Sequence, residues 1–490
     1  MSRKSERLLL FIIFIFCFSL RLAFINQKNL WFDEVFSWHL TLKSFYEIII
    51  RTSNDIHPPL YYFILKLWNF VFGDSVVSMR ILSAIFSSAA IFFIYPLCKR
   101  VLTPVNSFTV LILYSVSPLN LYYSQEARMA AMNLFLNIGS IYFFIKLIDK
   151  QLNIDRLFRD KGFYLYVFFI VSALYTHYFS FLILTTQLVY LLYLFRFNLK
   201  KYKLYFIVFL SVFIGYLFWL PKFIEHISRG QRWRGSQSLF QVLREYFNYI
   251  KDMNLGLYYH YTDLDLVRYI SILISLFLVT AFVGLFLKNK IGLQDKTVVL
   301  ILLLSFVPLT IAGIISFNQK IEFYRYLSII IPYILIFLVY GISKWNSKIL
   351  TIGVIGCFAL VNIYGINIHY SFKFKNDDYR ELIKQINSEY KEGDRIYVEP
   401  HYYGWIIDYY KKQDGLKIPK TVHIRYGWNE ILDSINTQRP ERFWLVIDFS
   451  SVDTTNYRNY IMDLSDKHEK EFNMTYYLAP TKVELYRFLQ

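Results

Sequence analysis

Cysteine is nearly absent from this chain: three in 490 residues, and Cys17, Cys98 and Cys357 all lie inside apolar runs. Neither a disulfide framework nor a cysteine-based metal site is indicated. Charge is also scarce, at 18% of residues, and acidic residues are the scarcer kind, 36 against 53 basic, for a formal net charge of +17. There is no Walker motif, no Gly-x-Gly-x-x-Gly ahead of a helix and no His-Glu-x-x-His, which argues against ATP-driven transport and against a zincin protease. Internal repeats and low-complexity linkers are missing too. What remains is 56% hydrophobic and 20% aromatic. A soluble protein of this size would bury only part of that inventory and leave aggregating patches, so an ordinary cytosolic enzyme is excluded. A nucleic-acid binder gathers its charge on a face or arm, whereas long stretches here have almost none. The reading is a polytopic α-helical membrane protein with no nucleic-acid partner.

A helix needs about 20 mostly apolar residues to cross the hydrocarbon core. Such runs occur at 8–25, 79–98, 105–122, 129–148, 163–176, 179–196, 204–221, 267–287, 297–317, 326–342 and 349–369, which gives an expectation of eleven spans. The first follows Arg3, Lys4 and Arg7 like a signal peptide, but bulky residues stand where a small-x-small cleavage site would be. With the N-terminus in the cytoplasm, the inner segments carry 19 basic residues against five acidic ones, a balance of +14. Most of the net charge is then a topology signal under the positive-inside rule. This orientation leaves a transmembrane region over 1–370, with a long amphipathic first outer loop over 26–78 and a second over 222–266. A polar region over 371–490 lies on the outer face. The first loop should place helices in the interface with membrane lipid. In the C-terminal region a helix is expected from Asp377 to Tyr390, a strand over Arg395–Val398, a helix over Gly404–Lys411 and a buried strand over Arg442–Phe449. That alternation predicts a soluble α/β domain.

An ionisable group at mid-membrane costs ~2.5–3.5 kcal/mol unless it is used or paired, so the placement of such groups is informative. They gather on the outer side: Asp33 and Glu34 after Trp31-Phe32; Asp55 and His57 before Pro58-Pro59; Arg80; Gln125, Glu126 and Arg128; His177; and Glu322 with Arg325. Asp33-Glu34 has two readings. A carboxylate desolvated among Trp31, Phe32 and Phe36 suits a general base toward a hydroxyl or amine, while carboxylates at a helix start are stabilised by the helix N-terminus. His57 sits in a corner fixed by two prolines, and it either meets a phosphate or metal or simply opens a helix. Gln125-Glu126-Ala127-Arg128 and Glu322-Phe323-Tyr324-Arg325 are structural ion pairs or arginine forks for phosphate oxygens. Asp263-Leu264-Asp265 mimics a nucleotide-sugar motif without the βαβ unit such a motif needs. Arg229, Arg232 and Arg234 form a basic outer cluster that attracts lipid phosphate or is merely solvated. A reaction on the outer face needs an activated substrate available there, and a lipid-borne donor meets that condition.

Trp31-Phe32-Asp33-Glu34, His57-Pro58-Pro59-Leu60-Tyr61-Tyr62, Phe72-Gly73-Asp74-Ser75 with Arg80, and Ser117-Pro118 with Tyr123-Ser124-Gln125-Glu126-Ala127-Arg128-Met129 together resemble the integral-membrane GT-C glycosyltransferases. The branch is the bacterial family-39-like group, similar to protein O-mannosyltransferases and to the aminoarabinose transferase acting on lipid A. Thr176-His177-Tyr178 and Arg325-Tyr326 continue the likeness, which covers roughly 8–345. The resemblance implies a polyprenyl-phosphate-linked sugar as donor, a lipid, glycan or protein acceptor, and inverting transfer on the outer face of a bacterial-type plasma membrane. It casts Asp33 as general base, with Glu34, Glu126 and His57 shaping the site and Arg128 and Arg325 receiving the departing phosphate. Arg80 and His177 complete the substrate-binding set. No cofactor is implied with certainty. Some relatives use a divalent metal, for which His57 and Glu126 are the candidate ligands. The rival reading from another class is a polytopic transporter or flippase for a lipid-linked saccharide.

Overall fold

The structure is a computed structural model that describes residues 2–489 apart from 197–198, 231–233, 258–268, 270–271, 273–291, 293, 346, 372–378, 401–403, 419–420, 422–427, 449–460, 463, 467 and 479–480. Its helices are α1 (Arg3–Leu22), α2 (Phe32–Thr41), α3 (Phe45–Asn54), α4 (Leu60–Phe72), α5 (Val76–Ala89), α6 (Ile91–Cys98), α7 (Pro104–Ser115) and α8 (Pro118–Ser124). There follow α9 (Ala130–Lys150), α10 (Ile154–Leu157), α11 (Lys161–Leu174), α12 (Ser180–Phe195), α13 (Leu199–Tyr216), α14 (Leu220–Arg229) and α15 (Leu239–Leu255). Beyond the undescribed stretch come α16 (Lys296–Ser316), α17 (Phe323–Tyr326), α18 (Ile331–Ile342) and α19 (Lys348–Tyr370). The C-terminal region holds α20 (Tyr379–Glu389), β1 (Arg395–Glu399), α21 (Gly404–Asp414), α22 (Trp428–Gln438), β2 (Arg442–Asp448), β3 (Glu469–Leu478) and β4 (Thr481–Leu489).

The chain divides into two compact units, one of residues 1–25, 43–72 and 78–370, the other of residues 26–42, 73–77 and 371–490. The second unit therefore takes two pieces of the segment 26–78 as well as the C-terminal region. In the first unit, Val76–Cys98, Ala130–Lys150, Lys296–Ser316 and Lys348–Tyr370 are long and apolar enough to cross a membrane. Pro104–Ser115, Lys161–Leu174, Ser180–Phe195 and Ser328–Ile342 are shorter apolar helices among them. Large apolar side chains such as Phe11 on α1, Phe206 and Phe213 on α13 and Ile352 on α19 stand exposed, as the lipid-facing side of a multi-pass membrane protein requires. The run expected at 267–287 and Asp263-Leu264-Asp265 lie outside the described residues. The run expected as one span at 204–221 breaks: Tyr202–Tyr216 and Leu220–Arg229 meet at 78°. Pro221, in the first turn of α14, suits a helix start and cannot continue a preceding one.

Local chemistry fixes the ends that matter for the site. Ser44 caps α3 reciprocally with Glu47, at 3.2 Å from Glu47 N to Ser44 Oγ and 2.9 Å from Ser44 N to Glu47 Oε2. Pro58 and Pro59 lead directly into α4, and Leu60 N donates to Tyr175 O at 3.1 Å, which draws His57 toward the turn carrying His177. Where α19 crosses α8 and α15, a Cβ on Gly365 would stand 2.7 Å from Pro118 Cγ and 2.8 Å from Asn254 O. Only glycine permits that approach.

In the second unit the sheet order is β1-β2-β4-β3, with β1 and β2 parallel and the other pairs antiparallel. The parallel pair needs a crossover, which α21 and α22 supply. Phe443, Leu445, Ile447 and Phe488 pack with Ile431 and Ile435 as the core. Beside it Arg442 makes paired contacts of 2.8 and 2.7 Å to Asp394, which also accepts from Trp444 Nε1 at 2.9 Å. Helix α2 belongs to this unit. Its entry is held by Leu30 N donating to the Tyr410 hydroxyl at 2.7 Å, and Trp38 Nε1 donates to Asp74 Oδ2 at 2.7 Å. Asp74 also accepts from Lys412 at 2.6 Å and Gln413 at 3.1 Å.

Candidate active site

The first unit contains a cavity of about 340 Å³. Phe181, Leu182, Phe223, Ile227, Ile315 and Ile321 make its apolar wall, and His57, His177, Tyr178, His226, Gln319 and Tyr326 supply its polar groups. One side is braced by a chain of hydrogen bonds. Trp219 Nε1 donates to the Tyr178 hydroxyl at 3.0 Å, the hydroxyl donates to His226 Nδ1 at 2.6 Å, and His226 Nε2 donates to Ser53 O at 2.9 Å. That chain fixes the imidazole tautomer and ties the bent helix α14 to the end of α3.

The other side carries the charge. His57 Nδ1 lies 3.0 Å from Asp55 Oδ2, the carboxylate–imidazole arrangement that sets a ring's orientation. Burial alone would raise the Asp55 carboxyl, but the hydrogen bond and charge of His57 and the charge of Arg128 outweigh it and hold it below its ordinary value. The His177 ring is centred 6.0 Å from that of His57 and 5.5 Å from that of Tyr326. Burial depresses His177 well below the usual imidazole value, and His57, Arg325 and Arg128 push it the same way. It is therefore neutral at pH 7. Its Nδ1 accepts from Phe179 N at 3.2 Å, which leaves the hydrogen on Nε2. Arg128, 5% exposed, donates to the Tyr62 hydroxyl at 3.3 Å. Arg234 Nη1 stands 3.2 Å from Glu322 Oε2 and the Arg234 guanidinium lies over Tyr326, while Arg325 approaches Glu322 at 3.7 Å. Arg128 and Arg325, within electrostatic reach of a neutral His177 that lines an apolar cavity, form with it an arrangement that can hold an anionic group with a hydrophobic tail.

In the second unit the two carboxylates differ. Glu34 is fully buried and accepts from Trp31 N at 3.4 Å, closing the first turn of α2. Asp33 is half-buried, and its carbonyl accepts from Ser37 Oγ at 2.9 Å. The helix-start reading thus describes Glu34, and Asp33 is the more accessible of the pair.

Residues 56–219 match the family described as dolichyl-phosphate-mannose-protein mannosyltransferase. No curated protein matches the sequence. Among solved structures, ArnT from Cupriavidus metallidurans in the apo state aligns over 99% of this chain and 98% of its own, with a TM-score of 0.59 at 10% identity. The same protein bound to undecaprenyl phosphate gives 0.56 at the same identity and coverage. The chain has the GT-C glycosyltransferase fold. A third GT-C structure, the Archaeoglobus fulgidus oligosaccharyltransferase tethered with an acceptor peptide, aligns over 97% of this chain and 73% of its own, with a TM-score of 0.52 at 10% identity.

On this GT-C framework His57, Arg128 and Arg325 all come within electrostatic reach of His177. Glu126, 6% exposed, acts on Tyr123 together with Glu322 and Arg325, so it borders the same cluster. Arg80 does not line the cavity. It is 2% exposed and donates to Ile25 O at 2.9 Å, at the end of the α1 turn. Gln125 serves the framework too: Nε2 donates to Arg21 O at 2.9 Å and Ala23 O at 2.7 Å, and Oε1 accepts from His369 Nε2 at 2.8 Å. Among the described residues His57 and Glu126 belong to no metal-binding group of three or more His, Cys, Asp or Glu. Sequence reading did not single out Asp55 as the partner of His57. It also weighed Arg234 with a solvated cluster, although its side chain is only 7% exposed. Arg229 is the solvated member, half-exposed and paired with Glu225.

Proposed function

We propose that the protein transfers a sugar from a polyprenyl-phosphate donor to an acceptor on the outer face of the membrane, with inversion at the anomeric carbon. The observation that carries this reading is the apolar cavity lined by His57 and His177, with Arg128 and Arg325 within electrostatic reach of His177. The lipid enters among Phe181, Phe223 and Ile227. The phosphate meets Arg128, Arg325 and His177 Nε2–H, while His57 is held in place by Asp55. Asp33 takes the proton from the acceptor hydroxyl as that oxygen attacks the anomeric carbon, the bond to the phosphate oxygen breaks, and polyprenyl phosphate leaves. Glu34 holds the first turn of the helix that presents Asp33. Preorganised cations on a developing phosphate charge are worth about 3 kcal/mol each, and a positioned base adds ~10²–10⁴-fold.

The family match and the likeness to a transferase solved with undecaprenyl phosphate support this reading. So do the charges of the connecting segments, which favour a cytoplasmic N-terminus and an outer C-terminal region. The test is transfer from a radiolabelled polyprenyl-phosphate sugar by the purified protein in lipid nanodiscs. Release of polyprenyl phosphate coupled to a new glycoside is expected. Movement of the intact lipid-linked sugar across the bilayer without transfer would instead make the protein a flippase.

A further inference from the structure

Polar side chains of α9 and α12 meet inside the first unit, beside the end of α11. Asn133 and Asn137 stand one turn apart on α9, Ser180 is the first residue of α12, and all three are buried. Ser180 Oγ lies 2.7 Å from Asn133 Oδ1, and Asn137 Nδ2 donates to Ser180 Oγ and to Asn133 Oδ1, each at 3.0 Å. Ser180 Oγ also lies 3.0 Å from Ala173 O, at the end of α11. The hydroxyl therefore bridges the base of the turn over 175–179, which carries His177. That turn is tied from within, since Ala173 O accepts from Thr176 N at 3.0 Å and from His177 N at 2.9 Å, and Phe179 N donates to His177 Nδ1 at 3.2 Å. Helix α9 is itself held against α11 at Gly139, where a Cβ would stand 2.3 Å from Phe169 Cδ1.

We propose that Asn133, Asn137 and Ser180 are positioning residues that set the His177 imidazole for the phosphate of the donor. The proposal rests on the transferase reading above, which gives His177 Nε2–H its anion. The linkage is continuous. The carboxamides on α9 fix Ser180 Oγ, Ser180 fixes Ala173 O across the turn, the turn fixes Phe179 N, and Phe179 N keeps Nδ1 bare so that the hydrogen stays on Nε2. A ring released from that hold would carry its hydrogen on either nitrogen and would offer a phosphate its donor only part of the time. Stability is a poor account of these three side chains. Hydrogen bonds between helices in a membrane add little to it, and Asn137 Oδ1 is buried with no hydrogen-bond partner among the described residues, a loss that an apolar side chain of like size would avoid. What they supply is direction, because hydrogen bonds fix the distance and angle between the turn and α9 where apolar packing alone would not.

The test uses the full chain in nanodiscs, labelled with nitrogen-15 at histidine and read by NMR, together with kinetics on a polyprenyl-phosphate sugar. The signals of His177 are those that vanish in His177→Gln, and in the wild type they should show one tautomer, with the hydrogen on Nε2. Ser180→Ala should show both tautomers and raise KM for the donor about threefold, with kcat and melting temperature close to wild type. Asn133→Leu, which keeps the volume, removes the same hold and should act alike, so the role is still tested if Ser180→Ala does not assemble. Placed in a His177→Gln background, Ser180→Ala should raise KM no further, because its effect passes through the imidazole. A single tautomer retained in Ser180→Ala and Asn133→Leu, or the same rise in KM with and without His177, would overturn the positioning role and leave these side chains as packing alone. Failure of the underlying reading looks different: the tautomer would still depend on Ser180 and Asn133, with no transfer from any lipid-linked sugar.

Discussion

At the residue scale the site is set by groups whose charge state is decided by their neighbours. His177 is neutral because burial and the cations around it oppose protonation, so its Nε2–H can meet a phosphate throughout the physiological range. Transfer measured from pH 6 to 8 should show no step assigned to His177. His177→Gln should raise KM for the donor several-fold and leave the shape of the profile unchanged, and a step lost in that variant would contradict this account. Asp394 works the other way. Burial alone would raise its carboxyl, but Arg442 and Trp444 hold it below the ordinary range. Its stabilisation is therefore complete above the unfolded carboxylate value, near pH 4, and is lost as pH falls through the lower folded value. Asp394→Asn leaves Arg442 buried beside a neutral partner and should cost about 3–5 kcal/mol, measured by urea unfolding at pH 7. Sequence gave the identities of His57, Arg128, His177 and Arg325 but not their company. Arg234 meets Glu322 across 88 positions of chain, a distance over which no spacing rule operates, and its neighbours in sequence made it look solvated.

Elements were legible where an apolar run is long. α9, α16 and α19 lie on the runs read at 129–148, 297–317 and 349–369, because a lipid-facing helix must be apolar along most of its length. The break between α13 and α14 was not read. Hydropathy continues through Leu217, Phe218 and Leu220, and only the turn ahead of Pro221 ends the helix. The hairpin of β3 and β4 was missed as well, since its strands carry Lys and Glu and show no continuous apolar run. Gln125 shows how elements are joined: one amide links the end of α1, the turn between α8 and α9, and the last residues of α19. Gln125→Leu strands two backbone carbonyls and His369, each buried polar group costing about 1–3 kcal/mol. A clear loss of thermal stability in nanodiscs is expected from it. A variant as stable as wild type would mean that the three helix ends are held by other contacts.

For the whole molecule, composition was the most legible feature and chemistry the least. Of the +17, +14 lies in the segments read as cytoplasmic, and residues 371–490 hold 18 basic and 19 acidic residues. Charge therefore speaks to orientation, and only +4 remains for the segments read as outer, those that carry Arg128 and Arg325. The division of residues 26–78 between two units was not legible. Residues 26–42 and 73–77 join the C-terminal unit through Tyr410, Lys412 and Gln413, contacts of more than 300 positions' separation. The unit that holds the C-terminal region therefore also carries Asp33, the base proposed for this chain. The most direct test of that account is sugar transfer from a radiolabelled polyprenyl-phosphate donor by wild type and Asp33→Asn in nanodiscs, with donor binding measured alongside. The account predicts unchanged donor binding and transfer reduced by ~10²–10⁴-fold. Transfer at the wild-type rate in Asp33→Asn would contradict it.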